Sequence, residues 1–211
     1  MELPKPIKDF VQVFSQLPGI GPRQTTRLAF WLLHQKKEIQ HTFYRAFTSL
    51  FSQTQICPNC FFISEKEVPG QQEDKLCKIC RDKQRDQTII CVVEKETDLI
   101  SIENTNKYRG LYHILGGLIS EIDENKKQRL TVNQLLARIK KSARMPLKVK
   151  EVILALNPTS EGNLTTYCIE KAVKELNLDI KITKLGRGLP QGGEVEFADA
   201  ETLVNALEGR K

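Results

Sequence analysis

Apolar residues in the first quarter of the chain recur at helical spacing: Ile7, Phe10, Val11 and Phe14, then Leu28, Phe30, Trp31 and Leu32, then Phe43, Phe47, Leu50 and Phe51. Side chains three and four apart share one face of a helix, so this pattern predicts a small all-helical module, broken at Pro18-Gly19 and Gly21-Pro22. The period disappears between Cys57 and Cys80, where a polar stretch carries Pro69-Gly70 and a Gln-Gln-Glu-Asp run. That stretch reads as a loop organised by a metal rather than by an apolar core.

Past Arg85-Asp86 the pattern changes again. The run Ile89-Ile90-Cys91-Val92-Val93, ended by Glu94, reads as a buried strand. A helix with Thr97 as N-cap follows, then an apolar run from Leu111 to Leu115 that closes on Gly116-Gly117. Residues 132–145 read as a helix with a basic side, Val149 to Leu156 as a third strand, Leu164 to Leu176 as an amphipathic helix, and Ile180 to Leu185 as an alternating fourth strand. A last short helix fits Ala200 to Leu207. Strands alternating with helices imply an α/β fold on a mostly parallel sheet. The expected division is 1–55, 56–82, 83–185 and 186–211: helical module, cysteine knuckle, sheet domain, and a glycine-rich loop with a C-terminal helix.

Composition narrows the class. Of 211 residues, 40% are hydrophobic and 27% charged, which suits a globular protein and leaves little room for extended disorder. No stretch approaches the roughly 20 apolar residues of a membrane span. Residues 1–9 lack the basic-then-apolar layout of a secretory signal, so a cytoplasmic setting without disulfides is expected. The net charge of +6 is concentrated early, with seven basic side chains against three acidic ones in residues 1–56. This points either to a polyanionic partner or to a solvated helix surface.

The segment Leu17-Pro-Gly-Ile-Gly-Pro-Arg23 sits between two helical stretches. Gly19 and Gly21 suit a tight hairpin because glycine tolerates positive φ, and the amides opening the next helix can meet a phosphate. Arg23 and Arg27, four apart, project from one side of that helix. This is the pattern of a helix-hairpin-helix, which would hold DNA by its backbone without sequence preference. A plain helical turn uses the same residue types.

Cys57 and Cys60, then Cys77 and Cys80, form two Cys-x-x-Cys pairs sixteen residues apart, a spacing that fits a four-cysteine zinc site. Four thiolates leave no open coordination position, so one structural Zn2+ per chain is expected. Cys91 and Cys168 fall in apolar segments as small hydrophobes, and His34, His41 and His113 show no ligand spacing.

Glu94 ends the first strand and Asn157-Pro-Thr-Ser-Glu161-Gly162 follows the third, at the sheet edge where open α/β folds place their sites. The arrangement resembles the Toprim domain of topoisomerases and bacterial primases, in which a first-strand Glu acts in acid/base chemistry and an Asp-x-Asp motif binds magnesium. In that comparison Asn157 and Thr159 occupy the places of the two aspartates. Magnesium favours carboxylate oxygens, so the pair Glu94 and Glu161 should hold it poorly, and neither strand cleavage nor nucleotidyl transfer is expected.

In that order, hairpin, cysteine knuckle and degenerate Toprim pattern resemble the RecR family over essentially the whole chain. The resemblance is carried by Leu17-Pro-Gly-Ile-Gly-Pro, Tyr108-Arg-Gly-Leu-Tyr-His-Ile-Leu-Gly-Gly117, Asn157-Pro-Thr-x-Glu-Gly162 and Arg187-Gly-Leu-Pro-x-Gly-Gly193. It implies a non-catalytic recombination mediator: a homotetrameric ring that encircles DNA and works with RecO and RecF to load recombinase onto gapped strands. It also implies that Arg23 and Arg27 touch DNA and that Glu161 lies where RecO is met. Thr25 stands where the family usually has alanine, and the loop between the cysteine pairs is longer than its norm.

Two basic or glycine-rich stretches keep two readings each. Gly186 to Gly193 is either a structural or subunit-contact loop or a phosphate nest. Arg138, Lys140, Lys141, Arg144, Lys148 and Lys150 line either a DNA channel or a solvated helix face. Two rival functions remain: a magnesium-dependent nuclease or primase using Glu94, Glu161 and a third carboxylate such as Glu96 or Asp98, and a zinc adaptor that binds proteins alone.

Overall fold

A computed structural model describes residues 2–66, 75–120 and 130–210, and the chain divides into two compact units at Thr54. The first is all helical: α1 (Lys5–Phe14), α2 (Pro22–Leu33) and α3 (Lys37–Ser52). Aromatic side chains tie the three together. Phe10 stacks on Phe14 with ring centroids 4.0 Å apart, Phe14 meets Phe47 edge-on at 5.7 Å, and Trp31 meets Phe43 at 5.9 Å. Among the described residues of this unit only Thr25 and Ala29 are fully buried, while Leu33 and Tyr44 remain 60% and 69% exposed.

A two-stranded ribbon, β1 (Thr54–Ile56) and β2 (Ile63–Glu65), leads into the second unit, and β2 falls inside the Cys57–Cys80 segment expected to have no regular structure. The short helix α4 (Lys78–Arg81) follows. Then come β3 (Asp86–Val93), α5 (Glu96–Glu103), β4 (Gly110–Ile114), α6 (Val132–Ser142), β5 (Glu151–Ala155), α7 (Ser160–Lys174), β6 (Lys181–Lys184), a 3-10 turn (Val195–Phe197) and α8 (Ala200–Glu208). The four longer-range strands form one sheet in the order β4-β3-β5-β6, every pair parallel.

Successive strand residues point to opposite faces, and here both faces are covered, which is why the strands read as unbroken apolar runs. Ile90 and Val92 pack with Leu135, Ile139, Ile169 and Val173 on one side. Cys91 and Val93 pack with Leu99, Tyr112 and Ile114 on the other. Burial pushes the Cys91 thiol up to about 12, consistent with a purely packing role. Below the sheet, the nearly buried Arg85 guanidinium pairs with Glu103 and donates to Gly110 O at 3.1 Å, and the Tyr112 hydroxyl donates to Glu103 Oε2 at 2.9 Å. This network fixes the entry to β3, the end of α5 and the start of β4 to one another.

Two helices begin earlier than their hydrophobic pattern predicts, and side-chain caps are the reason. The first turn of α5 starts at Glu96 rather than after Thr97, because Asp98 Oδ2 accepts the Lys95 N–H at 3.2 Å. α7 starts at Ser160 rather than Leu164, because Thr159 Oγ1 accepts the Gly162 N–H at 3.1 Å and caps it.

Candidate metal centre and nucleic-acid interface

The turn between α1 and α2 rests on Gly19. Gly19 has φ +77°, a conformation a Cβ would disfavour, and Ile20 donates its N–H to Leu17 O at 3.2 Å to close the turn. Gly21 is different: its φ is −88° and a Cβ there would meet nothing within 4 Å, so nothing among the described residues demands its bare backbone. It is the N-cap of α2, among the described residues no side chain caps that helix, and Pro22 has no N–H to satisfy. The first turn therefore turns its amides of Arg23 and Gln24 outward, with the exposed Arg23 and Arg27 beside them. Thr25 faces inward, where its hydroxyl donates to Gly21 O at 3.1 Å and accepts from Ser15 at 3.4 Å. A hydroxyl in place of alanine is thus satisfied rather than stranded.

The four cysteines come together. Cys57 follows β1, Cys77 is the N-cap of α4 and Cys80 lies in that helix, and the four Sγ atoms all sit within 4.8 Å of one another. Cys57, Cys60 and Cys77 are buried under Phe62, Leu76 and Ile79. Hydrogen bonding with Cys60, and then with Cys77 and Cys80, pulls the Cys57 thiol far below its ordinary value, while bonding to Cys57 pushes Cys60 and Cys80 up. Four sulfurs gathered this closely form a cage able to hold a metal ion. The backbone turn is kept by Phe61, which adopts φ +66° and donates its N–H to Cys57 O at 3.0 Å. The segment 67–74 between the cysteine pairs, including Pro69-Gly70, lies outside the described residues.

Three contacts dock the first cysteine pair on the sheet. Ile114 donates its N–H to Cys60 O at 2.9 Å. The Phe61 ring meets His113 edge-on with centroids 5.3 Å apart. Arg138 Nη1 donates both to Asn59 O, at 3.2 Å, and to Tyr112 O, at 2.7 Å. Arg138 therefore belongs neither to a solvated face nor to an open channel. Its place was legible in part, since Leu135 and Ile139 are the buried positions of α6 and Arg138 stands between them on the same stripe. His113 is core: its Nε2 lies 2.9 Å from Thr131 Oγ1, and burial together with Arg138 pushes its imidazole down to about 4.

At the carboxyl ends of the strands, Val93 is paired with Ala155, which brings Glu94 and Asn157 side by side. The Asn157 Nδ2 donates to Glu94 Oε2 at 3.0 Å. Thr159 caps α7, Gly162 lies so close to Asn157 O that a Cβ could not be accommodated, and Glu161 is exposed in the first turn of α7. Glu96 opens α5 and Asp98 caps it. Among the described residues, the cysteine cage is the one grouping of three or more side chains able to share a cation. In the loop after β6, Arg187 donates to Asn163 Oδ1 at 2.8 Å and reaches Glu201 at 3.5 Å, so its charge ties that loop to α7 and α8. Among the described residues, no helix is long and apolar enough to cross a membrane.

Comparison with known families agrees with this order of parts. Residues 7–49 match the RecR helix-hairpin-helix family, residues 88–185 the Toprim domain family, and residues 188–211 the RecR C-terminal family. Similar proteins include the recombination protein RecR of Roseiflexus sp. (strain RS-1), 38% identical over 99% of this chain and 95% of that protein. Those of Chloroflexus aggregans and Staphylococcus saprophyticus are 40% and 39% identical, covering 98% and 100% of this chain and 93% and 98% of their own lengths. The hairpin, the four-cysteine cage and the parallel sheet, together with these full-length similarities, place the chain in the RecR family.

Proposed function

We propose that the protein is a non-catalytic recombination mediator in DNA repair. It grips DNA through the hairpin, is stiffened by a structural zinc ion, and uses its Toprim domain as a docking platform. The observation that carries the reading is the hydrogen bond from Asn157 to Glu94. Where a catalytic Toprim site would set carboxylates around magnesium, this chain sets an amide that binds the remaining carboxylate directly. Thr159 spends its hydroxyl as a helix cap. A hard divalent cation would have to displace the amide and would gain little in return.

Zinc fits the cage on chemical grounds. Tetrahedral zinc–thiolate bonds of about 2.3 Å put sulfurs about 3.8 Å apart, and the sulfurs here already lie within 4.8 Å of one another. Cys57, Cys60, Cys77 and Cys80 would hold one ion, which would supply cross-linking rather than chemistry. Gly19, Gly21, Arg23 and Arg27 would meet the phosphate backbone: Gly21 leaves room for close approach, and the arginines neutralise charge.

Residues 1–55 serve as the DNA module, 56–82 as the zinc finger, 83–185 as the Toprim domain and 186–211 as the C-terminal element. Apolar side chains left exposed on the first unit and at the C-terminal end, Val204 at 53% and Phe197 at 80% among them, support assembly into a tetrameric ring around DNA. Glu161, exposed at the start of α7, is the expected contact for RecO, with RecF joining the same loading reaction.

Incubation of the purified protein with labelled gapped DNA and magnesium tests the reading. Salt-sensitive binding without nicking or primer synthesis is expected. Turnover that disappears in Glu94→Gln would identify an enzyme instead, and an absence of DNA binding at low salt would identify a protein adaptor.

A further inference from the structure

Arg138 is a cation in an unusual place. It projects from α6 between the buried Leu135 and Ile139, and its guanidinium bridges two carbonyls, Asn59 O in the knuckle and Tyr112 O in β4. Its Nη2 is buried and, among the described residues, has no hydrogen-bond partner. None of the five ion pairs found among the described residues includes Arg138. A buried guanidinium with neutral acceptors alone is costly, because desolvation of the charge is repaid by weak dipoles only. Burial pushes its pKa down.

We propose that Arg138 is the counter-charge of the metal-loaded cage and fastens the zinc knuckle to the Toprim sheet. The inference rests on the zinc reading above. Four thiolates around a divalent ion retain roughly two net negative charges, held here among buried side chains. A guanidinium whose fork reaches the backbone between Cys57 and Cys60 balances part of that charge and aligns the knuckle against β4. Residues outside the ligand shell commonly tune metal retention in this way. The docking contact and the ion therefore stabilise each other: the loaded cage gives the buried guanidinium a fixed counter-charge, and the guanidinium holds the knuckle backbone at Asn59 against β4.

The test compares full-length wild type with Arg138→Gln and Arg138→Lys, following zinc transfer to a chromophoric chelator. Zinc content of the wild type is measured first, since a wild type purified without chelator and lacking zinc would remove both this inference and the reading beneath it. With zinc present, Arg138→Gln is expected to release it roughly tenfold faster or more, and Arg138→Lys, which keeps the charge, no more than about threefold faster. Wild-type release from Arg138→Gln, or equal release from the two variants, would assign Arg138 a bonding role without charge compensation and overturn the proposal. Should Arg138→Gln fail to fold, hydrogen exchange on wild type decides. Chelation should deprotect the Ile114 amide, which donates to Cys60 O, while the Val152 amide, in the buried interior strand β5 paired on both sides, keeps its protection. An Ile114 amide that stays protected after zinc removal sinks the idea.

Discussion

The side-chain amide of Asn157 donates to the carboxylate of Glu94 across the carboxyl ends of β5 and β3, at 3.0 Å. A neutral donor thus occupies ground that a shared cation would need. Wild-type protein is expected to show no change in melting temperature with millimolar magnesium. Asn157→Asp would set two carboxylates against each other and lower stability by about 1 kcal/mol, or roughly 2–4 °C. Magnesium would then restore the loss. Thermal melts with and without magnesium check both outcomes, and a wild-type shift comparable to that of the variant would contradict them.

The turn that carries Asn157 depends on Gly162 and Thr159 together. A Cβ at Gly162 would collide with Asn157 O and crowd Thr159 Oγ1 at 3.2 Å. Gly162→Ala should therefore cost more than about 2 kcal/mol, and Thr159→Ala, which removes only the cap, about 1 kcal/mol. Urea unfolding of the two variants ranks them, and the reverse order would show that the cap rather than the close approach holds the turn.

Arg23 and Arg27 are both exposed on α2. Changing both to alanine should leave the unfolding curve in place, weaken DNA binding, and reduce the slope of log affinity against log salt by about 2. Fluorescence anisotropy across a salt series reads the slope directly. An unchanged slope would move the DNA contact away from the hairpin.

His113 is neutral in the fold, with its imidazole pushed down to about 4 from an ordinary 6.5. The unfolded chain therefore takes up the proton first as acidity rises. Stability associated with this ring is complete above pH 6.5, declines as the pH falls toward 4, and levels off below that, a total of about 3 kcal/mol. Because melting responds to every group that titrates, imidazole NMR resonances are a cleaner probe. The His113 signals should stay put between about pH 7.5 and about pH 5.5, and a midpoint near the ordinary value would refute the assignment.

The sheet was largely legible because strands covered on both faces must be apolar throughout, as Ile89 to Val93 and Val152 to Leu154 are. The cysteine cage was legible from spacing alone, since paired ligands on tight turns have little freedom in how far apart they stand. Helix starts were less so. Thr159 and Asp98 act through side chains that bond to backbone three residues away, and periodicity counts apolar positions rather than caps. Glu94 and Asn157 stand 63 residues apart, and only the crossover that sets β5 beside β3 makes them neighbours. By charge alone Arg138 is indistinguishable from the basic residues that follow it, Lys140, Lys141 and Arg144. What separates it is its place on the stripe of Leu135 and Ile139, where a long side chain can snorkel along apolar surface to reach distant carbonyls.

In the strand order, β4 is an outermost strand, so among the described residues one side of its backbone has no neighbouring strand to pair with. Cys60 O takes up the Ile114 N–H and Arg138 takes up Tyr112 O on that strand. The knuckle thus acts as a guard on a sheet border of the kind through which proteins stick to one another. Stripping the ion would unmask that border, and the first symptom expected in solution is clumping of otherwise folded chains rather than loss of secondary structure.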